Sequence, residues 1–460
     1  MKIQNKKAED VKIAYIGGGS TYWGRGLMSD LAQADDISGT VLLYDIDKEA
    51  AKQNEIIGNS IKNGKSEWKY KAVDTIKEAL VGTDFVVISI LPATFDEMES
   101  DVHTPEKYGI YQSVGDTTGP GGIVRAMRTI PMFEEIALAI KEFCPKAWVI
   151  NYTNPMSLCT GILYRTFPEI KAFGCCHEVF GTQELLSTAL AKIEGIKGVK
   201  RPEVKVNVVG VNHFTWITKA QYQDIDLFPV YRKFAEQYRE TGYVGDERIF
   251  NLNGFFATKH MVKFDLFLRY GWIAAAGDRH LAEFCPGDWY LESPEKAKAM
   301  GFDLTPVNWR KERQKNLLEQ TKKLVSGEEE FKLHPTGEDG VKQIRALIGL
   351  EDLCTNVNMP NVGQIPNLPY GAIVETNAQF TSDSVLPVMA GNVPENILPL
   401  IGRVCAEQEM VLTATIERDV EKAFNAFAAD PLVRLPQAKA REMFDEMVAN
   451  TKEYLTMYNL

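Results

Sequence analysis

The sequence has no apolar run near 18 residues, the length that a transmembrane helix requires. We expect no secretory signal either, because acidic residues and glycines interrupt the N-terminal segment where an apolar stretch would stand. We therefore expect a cytoplasmic protein without a membrane-spanning segment.

The sequence also lacks a cluster of basic residues. It has 51 lysines and arginines against 62 aspartates and glutamates, which gives a net charge of −11. We therefore expect neither a nucleic acid nor an anionic membrane as partner. A small anionic substrate stays compatible with this charge, since one arginine can dominate the local field.

Cysteines are few. The chain has seven, an odd number, and none forms a C-x₂-C pair. Such sparse cysteines are typical of reduced thiols, and a closed structural zinc site with four protein ligands is not expected.

What the sequence does contain is an alternation of short apolar runs and helical patterns, typical of a parallel sheet with crossover helices. No linker rich in Gly, Ser or Pro separates the two halves, so we expect them to pack around a shared site. A strand pair is predicted at 202–220, and mostly helices beyond about residue 220. The buried strands predicted in the first half are 11–17, 40–46, 84–90, 147–153 and 171–176.

A glycine turn follows the first of these strands. In "IGGGSTYWGRG", Gly17 and Gly19 permit close approach of backbone N–H groups to a pyrophosphate. Tyr22 stands where a third glycine would complete the motif. Asp45 ends the second strand, where a carboxylate can accept hydrogen bonds from a ribose diol, so NAD is preferred to NADP. The alternative is a tight turn that binds no cofactor.

The stretch "FGCCHEVFG" (173–181) places Cys176 at a strand end, and "GVNHF" places His213 at the end of the next predicted strand. A thiolate and an imidazole at neighbouring strand ends could share a metal in an open site, with zinc the first guess from ligand softness. The alternative is a buried cysteine and a core histidine. Alternation along the strand directs Cys175 to the opposite face.

Two further stretches concentrate polar groups. Arg128, in 113–131, could hold a carboxylate or a sugar hydroxyl, or form a surface ion pair. The stretch 274–289 could supply a general base, or its Asp278 could simply cap a helix. The polar residues of this second stretch are Asp278, Arg279, His280 and Glu283.

Together these motifs resemble glycoside hydrolase family 4, the NAD- and divalent-metal-dependent glycosidases. The resemblance spans nearly the whole chain through "IGGGST", "GPGGIVRAMRTIP", "NYTNPMS", "GCCHEV" and "GVNHFTW". It implies an α/β fold with a Rossmann-like, doubly wound parallel sheet and a mixed, largely helical C-terminal domain, as in lactate and malate dehydrogenases. Residues 1–203 would bind NAD, and 204–460 would bind substrate and metal and form a homodimer or homotetramer.

The resemblance also implies roles for individual residues. Cys176 and His213 would hold the metal, usually Mn²⁺ or another divalent ion. His177 would act as an acid near the leaving group, and Asp278, in a "D-x-H" segment, would be the base. The residues expected to contact NAD are Gly17, Gly19, Ser20, Thr21 and Asp45, and those expected to contact substrate are Asn154 and Glu178. A C6 carboxylate on the substrate would need a cationic or amide partner, for which Arg128 and Arg279 are candidates.

The activity implied is hydrolysis of an α-glycoside by oxidation at C3, deprotonation at C2, elimination, water addition and re-reduction. The tetrad "CHEV" (176–179) is similar to that of the α-galacturonidases. Met98 stands where phosphosugar enzymes of the family carry an arginine, which argues against a phosphosugar. The alternatives are an α-glucuronidase or α-galactosidase of the same family, or a lactate/malate-type NAD dehydrogenase.

Overall fold

The computed structural model describes residues 1–248, 250 and 254–460. Its strands are β1 (Lys2–Gln4), β2 (Lys7–Ile16), β3 (Ile37–Tyr44), β4 (Trp68–Ala72), β5 (Phe85–Ile88), β6 (Trp148–Asn151), β7 (Lys171–Gly174), β8 (Lys205–Val211), β9 (Phe214–Tyr222), β10 (Ile225–Asp226), β11 (Ile273–Ala274), β12 (Leu353–Pro360), β13 (Ile373–Thr381) and β14 (Ser384–Pro387).

The α-helices that the structure describes lie mainly between and after these strands. They are α1 (Trp23–Gln33), α2 (Lys48–Asn59), α3 (Ile76–Leu80), α4 (Phe95–His103), α5 (Gly119–Phe143), α6 (Met156–Thr166), α7 (Glu178–Ile193), α8 (Leu227–Tyr238), α9 (Met261–Tyr270), α10 (Asp278–Phe284), α11 (Gly287–Tyr290), α12 (Pro294–Ala299), α13 (Val307–Ser326), α14 (Gly340–Ile348), α15 (Leu398–Ile416), α16 (Val420–Ala429) and α17 (Gln437–Asn450). None is long and apolar enough to cross a bilayer.

The central sheet has a parallel half in the order β7-β6-β5-β2-β3-β4, with crossover helices between its strands. Strands β5 and β6 are buried along their whole length, as expected for a parallel sheet covered on both faces. This arrangement confirms the parallel sheet predicted from the alternating pattern and the Rossmann-like fold implied by the resemblance. A second, smaller sheet joins β8, β9, β10 and β11, and its β8–β9 hairpin confirms the predicted strand pair.

The sheet continues beyond β7 with β12, β13 and β14, which are antiparallel and come from the second half of the chain. The expectation of mostly helices beyond residue 220 was therefore wrong for 353–387. Strands β12 and β13 escape detection because they bury polar residues, among them Asn356, Asn358 and Glu375. Since these strands complete the sheet of the first half, the two halves share one core; the domain boundary at 203/204 stays a prediction.

Candidate active site

The carboxyl ends of β2, β5, β6 and β7 meet at one edge of the central sheet, the edge where α/β proteins bind ligands. The glycine turn follows β2, Asn154 follows β6 and Cys176 follows β7. The turn between β8 and β9 adds His213. Residues far apart in the chain therefore converge because of strand order.

Only glycine fits the turn after β2. Gly17 has a φ of +97°, and a Cβ there would lie 2.0 Å from the carbonyl oxygen of Ser89. A Cβ on Gly18 would lie 2.8 Å from Cβ of Leu43. The backbone of the turn is thus held close to the sheet at the start of α1, as a pyrophosphate site requires.

Asp45 supports this turn. Its Oδ2 accepts a hydrogen bond of 2.8 Å from Gly19 N, and its Oδ1 accepts one of 2.9 Å from Asp47 N. Burial raises the pKa of Asp45. Each carboxylate oxygen keeps a further lone pair, so Asp45 can still accept a ribose hydroxyl. Ser20 and Thr21 lie directly after the turn, and Ser20 Oγ accepts from Trp23 N.

The adjacent cysteines have separate surroundings. The Cys175 thiol lies against Tyr152 and within an apolar cluster on one face of the sheet. Cys176 is buried near several carboxylates, and burial, Glu375 and Glu178 raise the pKa of its thiol. Asn356 Nδ2 donates to the Cys176 carbonyl over 3.1 Å. None of the seven cysteines, all described, forms a disulfide.

His213 is held in one orientation and one tautomer. Its backbone is left-handed, with a φ of +62°, and its side chain is buried. Thr117 Oγ1 donates its single proton to Asp116 Oδ1 over 2.8 Å, and it lies 3.0 Å from His213 Nδ1. Thr117 must therefore accept from Nδ1–H, which leaves the lone pair of Nε2 for a metal or a proton.

Glu178 lies at the centre of the candidate site. Although burial opposes ionisation, the charges of His280, His177 and His213 lower the pKa of Glu178 to about 2. Its Oε2 accepts a 2.5 Å hydrogen bond from Gly277 N. The same carboxylate acts electrostatically on Cys176, so one negative charge influences both the thiol and the three imidazoles.

His280 packs directly on His213, with ring centroids 3.7 Å apart. Its Nε2 lies 3.8 Å from Glu178 Oε1, and its Nδ1 is buried without a hydrogen-bond partner among the described residues. Burial lowers the pKa of both imidazoles, that of His213 to about 3. An unprotonated imidazole beside a carboxylate can take up a proton.

His177 lies at the rim of the site, with its side chain half exposed. Its Nδ1 lies 2.6 Å from Glu338 Oε1. Desolvation would lower its pKa, but the hydrogen bond and charge of Glu338 raise it above the usual value. Glu338 comes from an irregular segment, residues 327–339, that passes beside α1: Ser29 Oγ donates to the carbonyl of His334 over 2.6 Å.

Asn154, which follows β6, has a buried amide oxygen without a described partner. Its carbonyl accepts from Arg125 Nε over 3.2 Å, while its Oδ1 is buried without a described hydrogen-bond partner. A buried polar atom without a partner is costly, so an external donor or cation is the natural partner for it.

The structure does not bring Arg128 to this cluster. Arg128 is fully buried, and its Nη1 and Nη2 bind both oxygens of the equally buried Asp101. Its Nε donates to the carbonyl of Pro92 over 3.1 Å. The Arg128 guanidinium is therefore hydrogen-bonded to groups inside the protein and is not available to bind a ligand.

Asp278 is also engaged elsewhere. Its carboxylate oxygens accept from the backbone N–H groups of Val262 and Lys263, each over 3.2 Å, at the start of α9. It is fully buried, which raises its pKa to about 6. The "D-x-H" segment therefore contributes His280 to the candidate site. The carboxylate of Asp278, in the same segment, lies elsewhere.

Comparison with known proteins identifies the family. Residues 12–192 match the family 4 glycosyl hydrolase model, and residues 208–433 match the model of its C-terminal domain. The chain is 60% identical to an α-galacturonidase of Thermoanaerobacterium saccharolyticum, over 99% of this chain and 98% of that protein. The chain belongs to glycosyl hydrolase family 4. This confirms the family predicted from the motifs.

Solved structures agree with the family. The crystal structure of lplD from Bacillus subtilis superimposes with a TM-score of 0.92 at 51% identity, covering 95% of this chain and 100% of that one. A 6-phospho-α-glucosidase from gut microorganisms, solved with NAD and Mn²⁺, shares the fold: its TM-score is 0.79 at 19% identity, covering 97% and 99%.

Several residues of the site carry no signal in the sequence. Thr117 and Glu338 are ordinary polar residues, and they matter only through their contacts with His213 and His177. Glu375 lies in a strand that was not predicted; Asn356 donates to it over 2.6 Å. His280 carried a weak signal, since it lies in the polar stretch already suspected of supplying a base.

Proposed function

We propose that this protein is an α-galacturonidase that uses NAD and a divalent cation such as Mn²⁺. The observation that carries the proposal is the cluster of side chains that contains Cys176, His213 and Glu178, at the same edge of the sheet as the glycine turn. The chain that forms it is 60% identical over its full length to an α-galacturonidase. A lactate/malate-type dehydrogenase would not need Cys176 and His213 as a pair of metal ligands.

The residues of the cluster fit a divalent cation. His213 offers Nε2, because Nδ1 is committed to Thr117, and Cys176 offers a soft sulfur. No three His, Cys, Asp or Glu side chains in the described part of the chain are arranged to hold a metal. A cation on Cys176 and His213 would therefore take further ligands from sugar oxygens or water, with Asn154 Oδ1 close to the substrate.

The glycine turn fits NAD, with Gly17, Gly19, Ser20 and Thr21 at the pyrophosphate and Asp45 at a ribose. When bound, NAD supplies reversible oxidation of the sugar, and the cation supplies polarisation of the neighbouring sugar oxygens. The protein's own part is to orient the sugar and to move protons.

We propose His280 as the base for the C2 proton. Its Nδ1 is buried and without a described hydrogen-bond partner, its ring packs on His213, and Glu178 would stabilise the imidazolium that forms. Asp278, the base implied by the family resemblance, is the weaker candidate because backbone N–H groups occupy its oxygens. His177, held by Glu338 at the rim, is the proposed acid for the leaving group.

Replacing His280 by glutamine is expected to lower the rate of C2 proton exchange by roughly 100- to 10,000-fold. Exchange of the C2 proton of bound galacturonate into D₂O, followed by NMR, measures the step directly. Asp278→Asn is the matched control and should keep exchange to within about tenfold once its folded fraction is measured. Normal exchange in His280→Gln, with loss of exchange in folded Asp278→Asn, would return the role to Asp278.

The function itself is tested with digalacturonate, NAD, Mn²⁺ and a thiol in D₂O. We expect galacturonate that carries deuterium at C2, with no accumulation of NADH, because the oxidation at C3 is reversed within each turnover. Stoichiometric NADH would identify a dehydrogenase instead. Omission of Mn²⁺ should stop turnover, and α-galactosides should be poor substrates.

A further inference from the structure

We propose that Arg310, together with Arg279, binds the C6 carboxylate of the sugar and thereby selects uronates over neutral sugars. The inference rests on the proposed function and adds to it the residues that recognise the substrate's charge. Arg128 has no part in this recognition, because Asp101 occupies its guanidinium.

Arg279 lies almost fully inside the protein, with 6% of its surface exposed. Its Nη2 donates to the carbonyl of Ser113 over 2.5 Å and also to Thr305 Oγ1. Its Nε is buried and has no hydrogen-bond partner among the described residues. A buried guanidinium donor without an acceptor is costly, so this atom points to a ligand.

Arg310 lies in the first turn of α13, and its guanidinium lies beside the same aromatic ring as that of Arg279. Its guanidinium carbon lies 5.6 Å from the ring centroid of Phe256, and that of Arg279 lies 5.1 Å from the same centroid. After burial, the charge of Arg310 is the largest influence that lowers the pKa of Arg279. Arg313 lies beside the same ring, but it is the charge of Arg310, and not that of Arg313, that acts on Arg279. The guanidinium groups of Arg279 and Arg310 repel each other, and an anion between them would relieve this repulsion.

The described residues supply no such anion at contact distance. Glu283 and Asp116 are the carboxylates whose charges act on both arginines. Neither lies within 4 Å of the two guanidinium groups. Glu283 Oε1 instead accepts from the N–H groups of Val114 and Gly115. A carboxylate of the ligand fits the gap, since arginine binds carboxylates through paired hydrogen bonds.

The two arginines lie at a position relative to His213 and His280 that suits the binding of a sugar. The charge of Asp116 acts on Arg310 and also on His213 and His280. Arg279 directly precedes His280 in α10, and its Nη2 donates to the carbonyl of Ser113, four residues before the Thr117 that contacts His213. The arginine pair therefore lies beside the imidazoles. A ring held at C2 and C3 by that cluster could place its C6 substituent between the arginines.

The test compares α-galacturonides with their C6 methyl esters in the full-length enzyme with NAD and Mn²⁺. Arg310→Met should raise KM for the free acid by roughly 10- to 100-fold with little change in kcat, and it should leave KM for the ester within about twofold. Arg310→Lys should keep part of the selectivity. Arg313→Met is the matched control, because Arg313 lies one turn later over the same ring, at 5.8 Å, and should change neither value.

Binding gives a readout that does not depend on turnover. Calorimetry should show weaker binding of galacturonate to Arg310→Met, with the affinities for galactose and for NAD unchanged. Equal losses for acid and ester, or a loss of NAD affinity, would overturn the role of Arg310. If the wild-type enzyme cleaved no α-galacturonide, the proposed function would fail; if it did and the variant stayed selective, only this inference would fail.

Discussion

Replacing Cys176 by serine is expected to lower metal-dependent turnover by at least about 100-fold, since loss of a second-shell partner alone costs about 10- to 100-fold. A hydroxyl is a poorer ligand than a thiolate for a transition-metal ion. Affinity for NAD should change less than about twofold, because the glycine turn and Asp45 are separate from the thiol. Mn²⁺ affinity by electron paramagnetic resonance and NAD affinity by fluorescence measure the two effects independently.

Cys175→Ser is the matched control for this experiment. Cys175 carries the same thiol one residue earlier but faces Tyr152 and an apolar cluster. Its replacement should leave Mn²⁺ affinity unchanged and lower stability modestly, since it buries a hydroxyl among apolar groups. Full metal-dependent activity in Cys176→Ser would show that the metal assignment is wrong.

Replacing Arg128 by methionine is expected to lower the free energy of unfolding by about 3–5 kcal/mol, which is the usual cost of removing one partner of a buried ion pair. Both side chains of the Arg128–Asp101 pair are fully buried. The variant would leave the Asp101 carboxylate without its counter-ion. Urea denaturation followed by circular dichroism measures the change.

The double variant Arg128→Met/Asp101→Leu separates stability from recognition. It removes the unpaired charge, so it should recover a large part of the lost stability. Its selectivity for uronates should equal that of the wild type if Arg128 is structural. A stable Arg128 variant that no longer distinguishes acids from neutral sugars would instead support the substrate role expected from the sequence.

The parts of the site that could be predicted from the sequence are those carried by short motifs next to strands. The glycine turn, Asp45 and Cys176 each follow a buried strand. In a parallel sheet the carboxyl ends of neighbouring strands meet at one edge. Local pattern is therefore sufficient to place these residues close together. It also suggested the pairing of Cys176 with His213, and the family resemblance supported that pairing.

The roles of the arginines could not be predicted from such local patterns. Arg128 and Arg310 have the same side chain, and nothing in their neighbours distinguishes them. Whether a guanidinium is free depends on which carboxylate the fold sets against it. For Arg128 this is Asp101, 27 residues earlier. For Arg310 no described carboxylate lies within 4 Å.

The sequence by itself determined the parallel sheet, the family, the glycine turn and the two candidate metal ligands, because each depends on residues close together in the chain or on a motif beside a strand. Only the tertiary structure decided the tautomer of His213, the backbone contacts that occupy the carboxylate of Asp278 and the burial of Arg128. Those outcomes depend on contacts between segments that are distant in the chain. The strength of a contact between buried polar groups depends on their distance and orientation in the folded protein, which short sequence motifs do not specify.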